Sequence, residues 1–304
     1  MDILNRFRGS LLGLAAGDAV GVTLEFKPRG SFTPITDMVG GGPFRLQPGQ
    51  WTDDTSMALC LATSLIECQR FDAKDQMDRY VRWWRQGDLS STGHCFDIGV
   101  ATAKALRHYE QTGNPYAGST DPYSAGNGCI MRLAPIPMFF SGDIDAVERY
   151  AAESSRTTHG AAECIDACRL FAWMLTQALN GQPRDQILFG AAHAFIGSEK
   201  IVAIARGNWR GKPVSAIWGS GYVVESLEAA LWAFATTENF EDAILTAANL
   251  GDDADTTAAI CGQIAGAYYG ETGVPAHWLE KLAMRETIAG LADGLCAVAQ
   301  QHKP

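Results

Sequence analysis

No stretch of the 304-residue chain approaches the roughly 20 apolar residues that a membrane-spanning helix requires. Residues 1–9 carry charges throughout and lack the apolar core of a secretory leader. Cationic side chains are in short supply: 24 lysines and arginines stand against 34 aspartates and glutamates, a net charge of -10. With no basic stripe to neutralise phosphates, nucleic acid is not an expected partner. Any anionic ligand must instead be met by helix N-termini, metals or single basic side chains. The eight cysteines, at 60, 68, 95, 129, 164, 168, 261 and 296, include no Cys-x-x-Cys pair. They read as reduced core residues rather than a disulfide or zinc framework, and the expected location is the cytoplasm. Sustained period-two alternation is missing as well, so no strand is predicted, and neither repeats nor low-complexity segments occur.

What remains is a composition of 47% hydrophobic and 19% charged residues, with ample interior for one buried core. The spacing predicts roughly a dozen helices in an all-α, single-domain architecture over residues 1–304. Leu4, Phe7, Leu11, Leu12, Leu14 and Ala15 repeat at helical spacing and deliver Asp18 near a helix C-terminus. The dipole disfavours a carboxylate there, so Asp18 is expected to have a partner. Residues 23–50 break into prolines and glycines around Glu25, and a loop of that length is expected to be functional, with a mobile lid as one option. Further helices are predicted over 75–84, 100–109, from Ala146, over 164–179, from Tyr222, over 239–248 and over 282–299. Asp97, just ahead of 100–109, reads as a helix cap.

The densest chemistry is Asp252-Asp253-Ala254-Asp255-Thr256-Thr257, which follows Gly251 and leads into a small-residue helix with Gly262, Gly266 and Gly270 at intervals of four. A cap needs one carboxylate, stabilised by roughly 0.3–1 kcal/mol; three exceed that need. Thr52-Asp53-Asp54-Thr55 offers the same groups earlier. Two such corners face to face would form an all-oxygen cage suited to magnesium or manganese, although spacing alone leaves capping and metal binding both open. Ser124-Ala125-Gly126-Asn127-Gly128 is a glycine-rich turn of the kind that admits an anion to backbone N–H groups, here before a helix that Pro135 and Pro137 limit or bend. His159, in Thr157-Thr158-His159-Gly160, is a cap or a ligand contact.

Taken together, Gly17-Asp18-Ala19-Val20-Gly21, Glu25, Trp51-Thr52-Asp53-Asp54-Thr55, Gly126-Asn127-Gly128 with Met131-Arg132, Thr158-His159 and Gly251-Asp252-Asp253-Ala254-Asp255-Thr256 resemble the ordered motifs of ADP-ribosylglycohydrolases, in particular the bacterial branch typified by dinitrogenase reductase-activating glycohydrolase. The likeness runs from about Leu4 to Leu295. It implies an all-α fold with a binuclear site between helix termini. Two divalent cations, Mg2+ or Mn2+, would be held by Thr52, Asp53, Asp54, Asp253, Asp255 and Thr256.

The same resemblance implies a monomeric enzyme that removes ADP-ribose from modified protein, most simply at the N-glycosidic bond to arginine. Glu25 on a flap at 23–50 would stand at the metals or the scissile bond, with Asp54 and Asp253 in the catalytic group. Asp97 would hold the departing guanidinium through two parallel hydrogen bonds. Ser124, Asn127, Gly128 and His159 would meet the diphosphate, Ser124 would be a further substrate-binding residue, and Tyr222 would lie against the ligand. Asp252 departs from the glycine that many relatives carry. Rival readings are release from serine or an ester, a noncatalytic ADP-ribose binder, and a phosphohydrolase acting on the diphosphate.

Overall fold

A computed structural model of the protein describes residues 1–301. Among these residues there are α1 (Ile3–Gly21), α2 (Asp53–Cys68), α3 (Ala73–Gln86), α4 (Val100–Thr112), α5 (Pro135–Phe139), α6 (Ile144–Arg156) and α7 (Ala162–Leu179). The second half adds α8 (Arg184–Phe189), α9 (Glu199–Ala205), α10 (Val223–Thr236), α11 (Phe240–Ala248), α12 (Ala254–Tyr269), α13 (Ala276–Lys281) and α14 (Arg285–Gln301). No strand forms among the described residues, only three isolated bridges, and no helix is long and apolar enough to cross a membrane. One contiguous apolar core joins the helices in a single all-α domain.

Two helices are buried on every side. Residues 9–25 are buried without a break, as are residues 254–267, which is why neither α1 nor α12 shows a clear polar face. They run antiparallel along each other. A β-carbon built on Gly9 would fall 2.3 Å from the Gly266 carbonyl oxygen, on Gly13 2.4 Å from that of Gly262, on Gly17 2.2 Å from that of Ala258, and on Gly21 2.4 Å from that of Ala254. Backbone thus meets backbone along four turns, and only a stripe of glycine and alanine permits it. The remaining faces of the pair are covered by α10, α11 and α14.

Three expectations about local structure change. Pro135 does not limit a helix; it starts one, at a position whose N–H has no intrahelical partner to lose. Gly270 does not continue the flat stripe of α12 but ends the helix, with φ +74°. Asp97 is not the cap of α4: Gly99 holds that position, and the Asp97 side chain turns elsewhere. Six of the eight cysteines are buried.

The close approach of α1 and α12 yields a test whose sign is set by competing terms. Gly→Ala inside an exposed helix gains about 1 kcal/mol of propensity, whereas overpacking a tight interior costs about 1–3 kcal/mol or more. Gly13→Ala is therefore expected to lower the melting temperature. Gly290→Ala, on α14 with nothing within 4 Å of the added methyl, is expected to raise it slightly. Calorimetry showing the same stabilisation for both would remove the contact as a constraint.

Candidate active site

The N-termini of α2 and α12 converge beside the C-terminal end of α1. Helices α3, α6 and α11 are capped by their own Asp72, Asp143 and Asn239 side chains, but α2 and α12 have no side-chain cap of their own. At α2 the function passes to Asp18 on α1. One Asp18 oxygen accepts from the Thr52 backbone N–H at 3.0 Å and the Thr52 hydroxyl at 2.9 Å; the other accepts from the Thr55 N–H at 3.1 Å and the Thr55 hydroxyl at 2.6 Å. The partner expected for Asp18 is thus the first turn of another helix. Asp53 and Asp54 are left free of capping duty. Asp253, although at the cap position of α12, likewise turns its carboxylate away, accepting from Asn127 Nδ2 at 2.7 Å.

These carboxylates surround a cavity of about 270 Å³ lined by Glu25, Asp53, Asp97, Asp253, Asp255 and Thr256, together with Asn127, Gly128 and His159. Carboxylate oxygens of Asp18, Asp54 and Asp255 lie within 4.8 Å of one another, and so do those of Glu25, Asp97 and Asp255. Thr52 and Thr256 point their hydroxyls at Asp54 Oδ2, at 3.3 and 3.5 Å. The Gly126–Asn127–Gly128 turn is tied to the acid corner through one strap. Asn127 N–H donates to the Gly221 carbonyl and Asp253 N–H to that of Gly219. That Gly219-to-Gly221 strap was not recognised as part of the site; two glycines flanking one serine were its only signal.

Ser124 and Tyr222 stand outside the acidic cavity, on a larger groove of about 1170 Å³ that shares Val100, Ala101, Gly126 and Gly221 with it. Tyr222 donates its hydroxyl to Glu163 and accepts from Lys200 at 2.6 Å. Asp252 contributes its backbone. Its N–H donates to the Lys27 carbonyl at 2.8 Å and its carbonyl accepts from Phe26 at 2.7 Å, pinning the start of the 23–50 loop to the corner. Its φ of +56° is the left-handed conformation that glycine adopts most readily, and aspartate is among the residues that tolerate it.

No lysine or arginine lines the cavity, so nothing on its wall balances the acids. Burial pushes the Glu25 carboxyl up to about 9, helped by Asp97 and Asp253. Asp97 rises to about 7 from burial and the charges of Asp18 and Asp253. Asp18 rises only to about 6, because its hydrogen bonds oppose the effect of burial. Asp53, Asp54 and Asp255 are each driven well above the usual carboxylate range, foremost by burial. Two buried oxygens, Glu25 Oε2 and Asp54 Oδ1, have no hydrogen-bond partner. An all-oxygen, electron-rich donor set with orphaned atoms fits hard divalent cations.

A family model described as ADP-ribosylglycohydrolase matches residues 1–304. The chain belongs to the ADP-ribosylglycohydrolase family. It is 46% identical over 301 residues to the ADP-ribosylarginine hydrolase Tri1 of Serratia proteamaculans, covering 99% of this chain and 81% of that protein. It is 31% identical to the ADP-ribosyl-[dinitrogen reductase] glycohydrolase of Rhodospirillum rubrum over 98% of each. A solved structure titled ADP-ribosylglycohydrolase-related protein complex superposes with a TM-score of 0.88 at 43% identity, covering 98% of this chain and 99% of that one. This glycohydrolase fold therefore brings the two acid corners together as the resemblance implied.

The acid cluster gives a pH dependence with a definite sign. Glu25 binds its proton more tightly folded, at about 9, than at the ordinary 4.5. Its contribution is thus complete below the ordinary value and lost as pH rises through the folded one. With chelator present, the melting temperature is expected to fall steadily from pH 5 to pH 9, and millimolar Mg2+ or Mn2+ at pH 8 is expected to restore it. A flat profile in chelator, unaffected by either ion, would show that the carboxylates do not repel one another in the folded state.

Proposed function

We propose that this glycohydrolase cleaves the N-glycosidic bond between ADP-ribose and arginine, acting as a cytoplasmic monomer on ADP-ribosylated protein. The observation that carries the reading is Asp97, which lines the acidic cavity with a carboxylate oxygen within 4.8 Å of those of Glu25 and Asp255. A carboxylate there can hold a guanidinium through two parallel hydrogen bonds. The similarity to arginine-directed hydrolases points the same way. Thr52, Asp53, Asp54, Asp253, Asp255 and Thr256 would hold two divalent cations, Mg2+ or Mn2+, which supply Lewis-acid polarisation and orientation of a ribose diol.

The protein's own part is positioning and proton transfer. Glu25 lies on the 23–50 loop, which we assign as the flap over the site, and its carboxylate, ionised once bound cations offset the neighbouring acids, would take a proton from the attacking water. The water oxygen joins the anomeric carbon, the carbon–nitrogen bond breaks with its electron pair left on nitrogen, and that nitrogen receives the proton taken from the water, so that arginine leaves as a guanidinium held by Asp97. Carboxylates around the ring stabilise the positive charge that develops on the sugar, Asp54 and Asp253 among them. Asn127, Gly128 and His159 face the diphosphate, while Ser124 and Tyr222 line the groove that receives the rest of the ligand.

Purified protein incubated with arginine- and serine-ADP-ribosylated peptides, in Mg2+, Mn2+ or chelator, is expected to release intact ADP-ribose and unmodified arginine, as identified by mass. Chelator and Asp53→Ala are expected to abolish release. Asp97→Asn should lower arginine-linked turnover at least 100-fold, because a neutral amide loses the charge-assisted pair, and ester cleavage much less. Release from serine alone would move the substrate; AMP as product would mean diphosphate cleavage; tight ADP-ribose binding without release would make the protein a binding module.

A further inference from the structure

Arg132 is wholly buried, yet no carboxylate lies within ion-pairing distance of it. Its guanidinium sits over the Tyr80 ring, 4.8 Å from the centroid, and Nη2 donates to the Ser154 carbonyl at 3.3 Å and the Thr158 hydroxyl at 2.7 Å. That hydroxyl lies 2.8 Å from His159 Nδ1. A guanidinium can only donate, so Thr158 Oγ1 accepts from Arg132 and its own proton must find another acceptor. Thr158 is buried, where an unmet hydroxyl donor is costly. Its hydroxyl is bonded to Arg132 and His159 Nδ1, so the proton goes to Nδ1 and the ring proton is left on Nε2.

The other edge of the ring meets the glycine turn. A β-carbon on Gly128 would lie 2.8 Å from His159 Cε1 and 3.2 Å from Nε2, and one on Gly126 3.4 Å from Nε2. No protein acceptor is bonded to Nε2, and His159 lines the acidic cavity. We propose that Arg132 and Thr158 are positioning residues that lock His159 in its Nε2–H tautomer, presenting a neutral donor to an anionic ligand oxygen on the Gly126–Asn127–Gly128 turn.

The arrangement solves a local conflict. An arginine or lysine in the cavity itself would pair with the carboxylates rather than with the ligand. Placed behind Thr158, the cation polarises a chain of hydrogen bonds toward Nε2–H without entering the cavity. Burial holds the His159 imidazole neutral, down to about 4; Cys129, below the turn, opposes this and the Arg132 charge adds to it. The donor therefore stays uncharged throughout the physiological range. The inference rests on the assignment of the glycine turn to the ligand diphosphate.

The test is nitrogen NMR of protein carrying 15N-histidine, with His159 identified by its loss in His159→Gln, and ADP-ribose as probe. The expected wild-type signals show an unprotonated Nδ1 and a protonated Nε2, unchanged from pH 5.5 to pH 8.5. Thr158→Val is expected to mix the two tautomers and weaken ADP-ribose binding about 10-fold, with kcat nearly kept, and Thr158→Ser to restore both properties. A wild-type ring protonated on Nδ1 or on both nitrogens overturns the proposal, whether or not Thr158→Val folds. If the tautomer responds as expected but ADP-ribose neither shifts the His159 signals nor loses affinity in Thr158→Val, the relay stands and the diphosphate assignment falls.

Discussion

Two helices can approach until their backbones touch only where each presents an unbroken stripe of minimal side chains. Helices α1 and α12 do so through Gly9, Gly13, Gly17 and Gly21 against Gly266, Gly262, Ala258 and Ala254. The stripe fixes rotation as well as distance, because turning either helix by one residue would put Leu14 or Gln263 into a space that admits no β-carbon. Asp18, one residue beyond Gly17, is thereby aimed at the first turn of α2. Asp255, one residue beyond Ala254, comes within 4.8 Å of Asp18 and Asp54. The clustered carboxylates are thus placed by contacts that carry no chemistry of their own.

What that geometry costs explains why the site is incomplete as a set of ionised acids. The N-termini of α2 and α12 both face it, and each can stabilise a neighbouring anion by about 0.3–1 kcal/mol, at most about 2 kcal/mol when partly buried. Taking a carboxylate out of water costs several kcal/mol per ion. Seven acids, Asp18, Glu25, Asp53, Asp54, Asp97, Asp253 and Asp255, are shifted upward together, so helix ends fall far short. Protons or cations must make up the difference. Asp18 is the least perturbed of the groups given a value because its oxygens are already hydrogen-bonded, which marks it as scaffold rather than ligand.

The all-α class was legible because helical periodicity was repeated and alternation absent, and the two acid corners were legible because their carboxylates outnumber what capping requires. Asp97 was harder. An acid just before a helix has the local signature of a cap, and only the chain's return past α2 shows it facing Glu25 instead. The Gly9 to Gly21 series was in plain view at intervals of four, yet only the stripe of its partner was read. A close approach needs both stripes, and they lie more than two hundred residues apart. Asp252 looked like an anomaly among carboxylates until its φ of +56° showed that the position is about backbone conformation. Arg132 stands in a motif that carries the resemblance, but its burial behind Thr158 was not legible, since a single arginine in an apolar run carries no periodic signal.

Charge segregation is the last step that ties the site to its chemistry. An ADP-ribosylated arginine brings a cationic leaving group and a dianionic diphosphate on opposite sides of one ribose. A pocket with mixed charges on one wall would neutralise itself before it neutralised the ligand. Here the charged groups that line the cavity are all acids, and Asn127, Gly128 and His159 beside them are uncharged. The nearest buried cation, Arg132, is bonded to Thr158 and kept behind it. A cavity of about 270 Å³ is enough for a sugar ring but not for a dinucleotide fragment, so the remainder must follow the turn past Gly126 and Gly221 into the larger groove. Under the proposed function the ribose would lie between the carboxylates and the Gly126–Asn127–Gly128 turn, where both of its charged substituents could be reached.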